Sequence, residues 1–192
     1  MLVTRPTPDC EILGRALSEA GFVPILCPLM SIAPTPDAEQ LTRSIGDEDL
    51  AFTSANGVRA FSAYSERRDN IVFAVGPTTA AAAKAAGFKA VHTALGDVAS
   101  MADLIIDHCA YKGGAHNGRT NKSGGNNKSG RHRIIHIAGT HRAGDLASML
   151  SNGNIAVERK VLYQANLIQA FPSKIRDFIA NRPPEWLSLI HI

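Results

Sequence analysis

Leu50-Ala51-Phe52-Thr53-Ser54-Ala55-Asn56-Gly57-Val58 and, further on, Ile71-Val72-Phe73-Ala74-Val75-Gly76-Pro77-Thr78-Thr79-Ala80 are built alike. Each begins as a short β-prone apolar run and ends in small polar residues that open a helical pattern. Ser54 suits the N-cap of a helix over 55–64, and Gly76-Pro77 turns the strand 71–75 into an alanine-rich helix, 78–86, closed by Gly87. A third copy, Ala138-Gly139-Thr140-His141-Arg142, follows a strand over 132–138 and predicts a helix over 140–150. Repeated strand–helix units mean a parallel sheet with helices on both faces. The turns then lie at the carboxyl ends of the strands, where open α/β sheets bind ligands. Each helix start offers unpaired N–H groups and the positive end of a dipole, and together they would form an anion-binding rim. Plain helix capping accounts equally well for any one turn alone.

The same alternation extends outward. A strand over 2–4 leads into a helix from Asp9, its expected N-cap, with Ile12, Leu13, Ala16, Leu17 and Ala20 on one face and Gly21 at its end. Strands follow over 22–26, 50–53, 88–92 and 154–163. Helices follow over 37–45, from Ser100 as cap over 101–109, and over 171–180 with Pro172 near the start. The stretch 29–36 carries Pro34 and Pro36 and reads as an extended linker. Residues 113–130 are rich in Gly, Asn, Ser and Lys, and Asn-Lys-Ser-Gly occurs at both 121–124 and 127–130. Such a segment predicts a mobile surface loop, either a plain insertion or a basic lid carrying Arg119, Lys122 and Lys128.

Composition narrows the function classes. The 192 residues are 45% hydrophobic and 19% charged, which excludes a wholly disordered chain. The net charge of +3 permits an anionic small ligand but lacks the dense basic stripe of a nucleic-acid binder. No run approaches the roughly 18–20 apolar residues of a membrane span, and the N-terminus lacks the apolar core of a signal peptide. Cys10, Cys27 and Cys109 are odd in number and form no C-x-x-C pair, which suits reduced thiols. The expected location is the cytoplasm, with no membrane and no nucleic-acid partner.

Several chemistries fail on spacing. Gly139 and Gly144 have the glycine spacing of a phosphate loop, but Asp145-Leu146 stands where Lys-Ser/Thr is needed. No G-x-G-x-x-G follows a strand, and no G-x-S-x-G elbow occurs. His132, His136 and His141, with His108 and Cys109 upstream, show no zinc-ligand spacing and read as structural or surface residues; no metal is expected. Asp47-Glu48-Asp49 reads as a solvated connection rather than an acid/base pair, and Asp145 as dipole complementation at a helix start.

The ordered set of turns resembles the uroporphyrinogen-III synthase family. The carrying residues are Thr4-Arg5-Pro6, the block 52–58, the block 75–80, and the stretch from Ala138-Gly139 through Leu146 and Leu150 to Val161-Leu162-Tyr163, over roughly residues 1–180. The resemblance implies two flavodoxin-like parallel-sheet domains joined by a two-stranded linker, with the active site in the cleft between them. The first domain would be discontinuous, built from 1–33 and 166–192; the second would span 36–162, including the loop 113–130. The implied reaction cyclises hydroxymethylbilane, a linear tetrapyrrole, to uroporphyrinogen III. Water is lost and the last pyrrole ring is inverted through a spiro intermediate. Neither metal nor organic cofactor is implied, and the protein would act as a monomer.

Residue by residue, the resemblance makes Tyr163 the candidate for assisting departure of the hydroxyl, or else a linker aromatic with a wet tip. Thr79 would face the cleft, or be a first-turn helix hydroxyl. Ser54 and Asn56 would present donors to substrate carboxylates, Ser54 serving otherwise as a cap alone. Arg5 and Arg142 would pair with carboxylates, Arg142 equally suiting a solvent-facing helix. Gly76 and Gly139 would allow close backbone approach or a tight turn. The chain ends on Leu187-Ser188-Leu189-Ile190-His191-Ile192, earlier than the family pattern. The first domain is therefore expected to be C-terminally truncated and the chain poorly active. Two other classes remain: a non-catalytic anion- or tetrapyrrole-binding α/β module, and a receiver or nucleotide-binding domain. The latter is weakened because Thr4, Ser54, Gly76 and Gly139 stand where receivers carry acids.

Overall fold

The computed structural model describes residues 1–114, 132–141, 144–151, 155–169, 173–181 and 187–188, with main chain alone at 111–114, 174, 178, 179, 187 and 188. The chain forms two compact units, Pro34–Tyr163 and Met1–Ala33 with Gln164–Ile192.

The first of these holds most of a six-stranded sheet. In chain order its strands are β3 (Met30–Pro34), β4 (Asp49–Phe52), β5 (Ile71–Ala74), β6 (Ala90–Thr93), β7 (His132–Gly139) and β8 (Ile155–Leu167). β3 falls in this unit only at Pro34, and β8 as far as Tyr163. β1 (Leu2–Val3) and β2 (Ile25–Leu26) precede them, outside this sheet. The sheet order is β3-β8-β7-β4-β5-β6, and β8·β7, β7·β4, β4·β5 and β5·β6 are parallel. The central strands are unbroken apolar runs because both faces are covered. Successive residues alternate between two cores. Leu50, Phe52, Val72, Ile135 and Ile137 face one cluster, with Phe61 and Ala83 supplied by α3 (Ala55–Ser62) and α4 (Pro77–Ala85). Ala38, from α2 (Ala38–Arg43), joins the same side. Ala51, Phe73 and Ile134 face the other cluster, against Met101 and Ile105 of α5 (Val98–Gly114) and Leu146 and Leu150 of α6 (Leu146–Leu150).

The other unit holds a parallel three-stranded sheet, β2-β1-β9, with β9 at Leu187–Ser188, together with α1 (Asp9–Glu19) and α7 (Ser173–Asn181). The apolar face of α1 is rotated from the expected one. Cys10 and Gly14 are its buried residues, while Ile12 is 53% exposed. Gly14 is what permits this face, since a β-carbon there would stand 2.7 Å from a Leu26 methyl. Asp9 is the first helical residue rather than the cap; Pro8 holds the cap position without a side-chain bond.

Three further expectations need correction. Ser100 does not cap α5: the helix starts at Val98, and Asp97 accepts from the Ser100 amide at 2.7 Å. Gly113 and Gly114, expected in the loop 113–130, belong to α5, and 115–130 lies outside the described residues. No helix starts at Thr140. The chain runs on to Asp145, which caps the short α6 by accepting from the Ser148 amide at 3.3 Å. The acid at a helix start is thus a cap, and the third strand–turn–helix is a longer connection than the other two.

Candidate active site

The carboxyl ends of β7, β4 and β5 lie side by side, because these strands are adjacent and parallel. Their turns therefore share one edge of the sheet. Ser54 stands at the end of β4 with extended backbone, φ −157° and ψ 157°, and caps α3 by accepting from the Gly57 amide at 3.3 Å. On the strand two places away, Tyr163 brings its hydroxyl 2.7 Å from Ser54 Oγ.

A β-bulge aims that phenol. Along β7 and β8 the pairing runs evenly to Ala138 opposite Val161, and then Gly139 stands opposite Tyr163, skipping Leu162. The extra residue bends β8 and redirects the side chain that follows. Leu162 stays fully buried in the core while Tyr163 turns to the edge. The Thr140 amide donates to the Tyr163 carbonyl at 3.0 Å and fixes the main chain there. Gly139 lies directly beneath the ring: a β-carbon on it would meet Tyr163 Cε2 at 2.7 Å. Arg159, two turns of the pleat earlier on β8, donates to the carbonyls of Gly139 and Thr140.

Beside this pair, the Thr53 hydroxyl lies 3.3 Å from His136 Nε2. His136 is buried in mid-strand, and burial pushes its pKa down to about 4. The Arg159 guanidinium adds to that fall and the Asp145 carboxylate opposes it. The ring is therefore neutral near pH 7, with one nitrogen to give and one to accept.

The other candidate residues occupy definite places. Thr79 is buried in the first turn of α4, and Gly76 is the N-cap of that helix, packed so that a β-carbon would stand 3.3 Å from Gly96 Cα. Among the described residues, no hydrogen bond joins Thr79 to Ser54 or Tyr163. Asn56 is half-buried in the first turn of α3, and its side-chain oxygen accepts from Arg59 at 2.7 Å. Part of its expected donor–acceptor capacity is thus used within the helix. Arg5 belongs to the other unit, in the turn after β1, with its Nε enclosed and, among the described residues, without a hydrogen-bond partner. Arg142 lies outside the described residues.

His136, Thr53 and Arg159 were not foreseen in the site. The available signal was weak. Thr53 sits beside Ser54 in the opening turn, and Arg159 lies in the same expected strand, 154–163, that ends on Tyr163. Among the described residues, no group of three or more His, Cys, Asp or Glu side chains could hold a metal ion. Glu48 does not join an acid/base pair; it accepts from the Gly46 amide at 2.7 Å and pairs with Arg133 at 3.4 Å.

Comparison with known proteins adds independent observations. The family model described as uroporphyrinogen-III synthase HemD matches residues 12–190. Uroporphyrinogen-III synthetase from Helicobacter pylori 26695 matches in structure with a TM-score of 0.50 at 13% identity, over 82% of this chain and 62% of that one. A mutant uroporphyrinogen III synthase from the extremely thermophilic bacterium Thermus thermophilus gives 0.48 at 16% identity, over 87% and 62%. A further Thermus thermophilus uroporphyrinogen III synthase structure gives 0.46 at 16%, over 94% and 68%. The chain spans 62% of the length of the Helicobacter pylori and mutant Thermus thermophilus proteins. At 13% identity the Helicobacter pylori match speaks for a common fold. No curated protein sequence matches.

Proposed function

The chain belongs to the uroporphyrinogen-III synthase family, and from that premise we propose that it cyclises hydroxymethylbilane to uroporphyrinogen III. The observation that carries the reading is the family match over 12–190, with the Tyr163 phenol held at the carboxyl edge of the sheet. The reaction is chemically undemanding at its first step. A pyrrole nitrogen lone pair expels the neighbouring hydroxymethyl oxygen, which leaves as water once a proton reaches it. Tyr163 supplies a hydrogen bond to that departing oxygen, and strong acid catalysis is unnecessary.

The larger task is positioning. The flexible chain must close in one geometry, with its last ring inverted, and holding reacting ends together can supply most of such a rate. The substrate is acid-rich. The helix starts of α3 and α4, whose first amides have no partner within the helix, suit its carboxylates, with Ser54, Asn56, Thr79 and Gly76 around them. Arg5 and Arg142 are the proposed cationic partners for the remaining carboxylates, and Gly139 gives Tyr163 its place.

We assign the protein to the cytoplasm as a monomer working without metal or organic cofactor. Three buried thiols free of disulfides suit a reducing compartment. The test is an isomer assay in which hydroxymethylbilane is incubated with and without the protein and the products are oxidised and resolved. Spontaneous closure gives the type I isomer, so type III product supports the reading. Binding of the tetrapyrrole with type I product alone would make the chain a non-catalytic binding module. Light scattering tests the monomer.

A further inference from the structure

Ser54 has one proton and two lone pairs. Its oxygen accepts from the Gly57 amide at the start of α3, and its other neighbour is the Tyr163 hydroxyl at 2.7 Å. Two arrangements fit that distance. If Tyr163 donates, its proton is spent on Ser54 and is withheld from any ligand. If Ser54 donates, the phenol keeps its own proton for a ligand.

The surroundings favour the second arrangement. An amide N–H on the serine oxygen draws electron density from it, which makes it a poorer acceptor and a better donor. That amide lies in the first turn of α3, where the helix dipole has its positive end. The phenol is close-packed on the Gly139 side, where a β-carbon would stand 2.7 Å from Cε2, and the main chain at Tyr163 is tied to the Thr140 amide. From these contacts we infer that Ser54 is the positioning residue of the reaction. It donates to Tyr163, so that hydrogen bonds run from Gly57 N–H through Ser54 and Tyr163 to the departing hydroxyl of the substrate.

Helix capping alone would explain Ser54 without this role, and the two are separable. Glycine is nearly as good an N-cap as serine but has no hydroxyl. Threonine keeps the hydroxyl. This inference rests on the cyclising activity proposed above, so steady-state kinetics of type III formation provide the test, with thermal unfolding as a check on folding. Ser54→Gly is expected to keep the wild-type unfolding midpoint to within about 2 °C. It should lower kcat about tenfold, the size of one lost hydrogen bond in a transition state, with KM little changed. Ser54→Thr should restore kcat. Combined with Tyr163→Phe, Ser54→Gly should add no further loss, because its effect passes through the phenol.

Absence of type III product from the unaltered protein would overturn the proposed activity, and this role with it. Type III product at an unchanged rate in Ser54→Gly, or a full additional loss in the double variant, would overturn the positioning role alone. A kcat loss that threonine fails to restore would also overturn it.

Discussion

Gly139 lies so close under the Tyr163 ring that a β-carbon on its backbone would stand 2.7 Å from Cε2 and 2.9 Å from Cζ. The requirement is for space. The ring is pinned from above by the Ser54 contact and cannot retreat without giving it up.

Gly139→Ala is therefore expected to displace the phenol and break the 2.7 Å contact with Ser54. Overpacking of this kind costs about 1–3 kcal/mol of stability. Type III formation should fall at least as far as in Tyr163→Phe, for which a loss of about tenfold to a hundredfold is expected. Thermal unfolding and the isomer assay together check both effects. A variant with native activity would mean that the ring position does not matter to the reaction.

Much of this site was legible in the sequence because it is encoded locally. Ser54 follows an apolar strand and precedes a helical pattern, and it caps α3 as such a residue should. Gly76-Pro77 likewise starts α4, with proline at its first position. The third turn misled because Gly139-Thr140 resembles those two, yet the chain needs the further span to Asp145 before α6 begins. What joins Tyr163 to Ser54 is a bulge between β7 and β8, a register between strands that no local pattern records. The place of His136 in the site is hidden for a related reason. Its partner Thr53 lies 83 positions away, and a lone histidine in an apolar strand looks the same whether or not it is bonded.

His136 predicts a pH dependence of stability. Its pKa falls from 6.5 to about 4 on folding, so between those values the unfolded chain binds the proton and the folded chain does not. Stability is then fully present above about 6.5, is lost as pH drops toward 4, and changes no further from this group below that. Burial of this ring makes the full difference worth about 3 kcal/mol. Carboxylates titrate in part of the same range, so the comparison is with His136→Gln. Urea unfolding at about pH 7 and about pH 4.5, on either side of most of that transition, should show a smaller loss in the variant. Equal losses would show that His136 does not charge on unfolding.

Asp97 predicts a weaker dependence in the acid range. The bond from the Ser100 amide holds its carboxyl below the usual carboxylate range. A group so shifted stabilises the fold above its unfolded pKa and ceases to do so as pH falls through the folded one. Asp97→Ala should lower the unfolding midpoint at neutral pH, and Asp97→Asn should retain most of it by capping in the same way. Ser100→Ala should leave the Asp97 cap in place, since that cap accepts from the Ser100 main chain. If Ser100→Ala is the more damaging of the two alanine changes, the cap has been assigned to the wrong residue.

Lys160 gives the last prediction, away from the carboxyl edge. Its side chain is 9% exposed, and its ammonium group bonds Glu158 at 2.8 Å and Ser44 at 3.0 Å. Arg133 pairs with the same Glu158 carboxylate, and the two cations together hold that carboxyl below its usual range. Glu158→Gln removes the charge that faces the enclosed ammonium. Breaking a fully buried pair costs about 3–5 kcal/mol, and because Glu158 is 40% exposed the loss here should be nearer about 1–2 kcal/mol. Lys160→Met in that background should recover most of it, since the methionine fills the stem's volume without a charge to satisfy. Stability from the pair is present at neutral pH and is lost as the solution is acidified through the Glu158 carboxyl range. Denaturant unfolding of the two single variants and the double variant measures the coupling. An additive double variant would mean that the ammonium is satisfied by Ser44 and solvent, and that Glu158 answers to Arg133 alone.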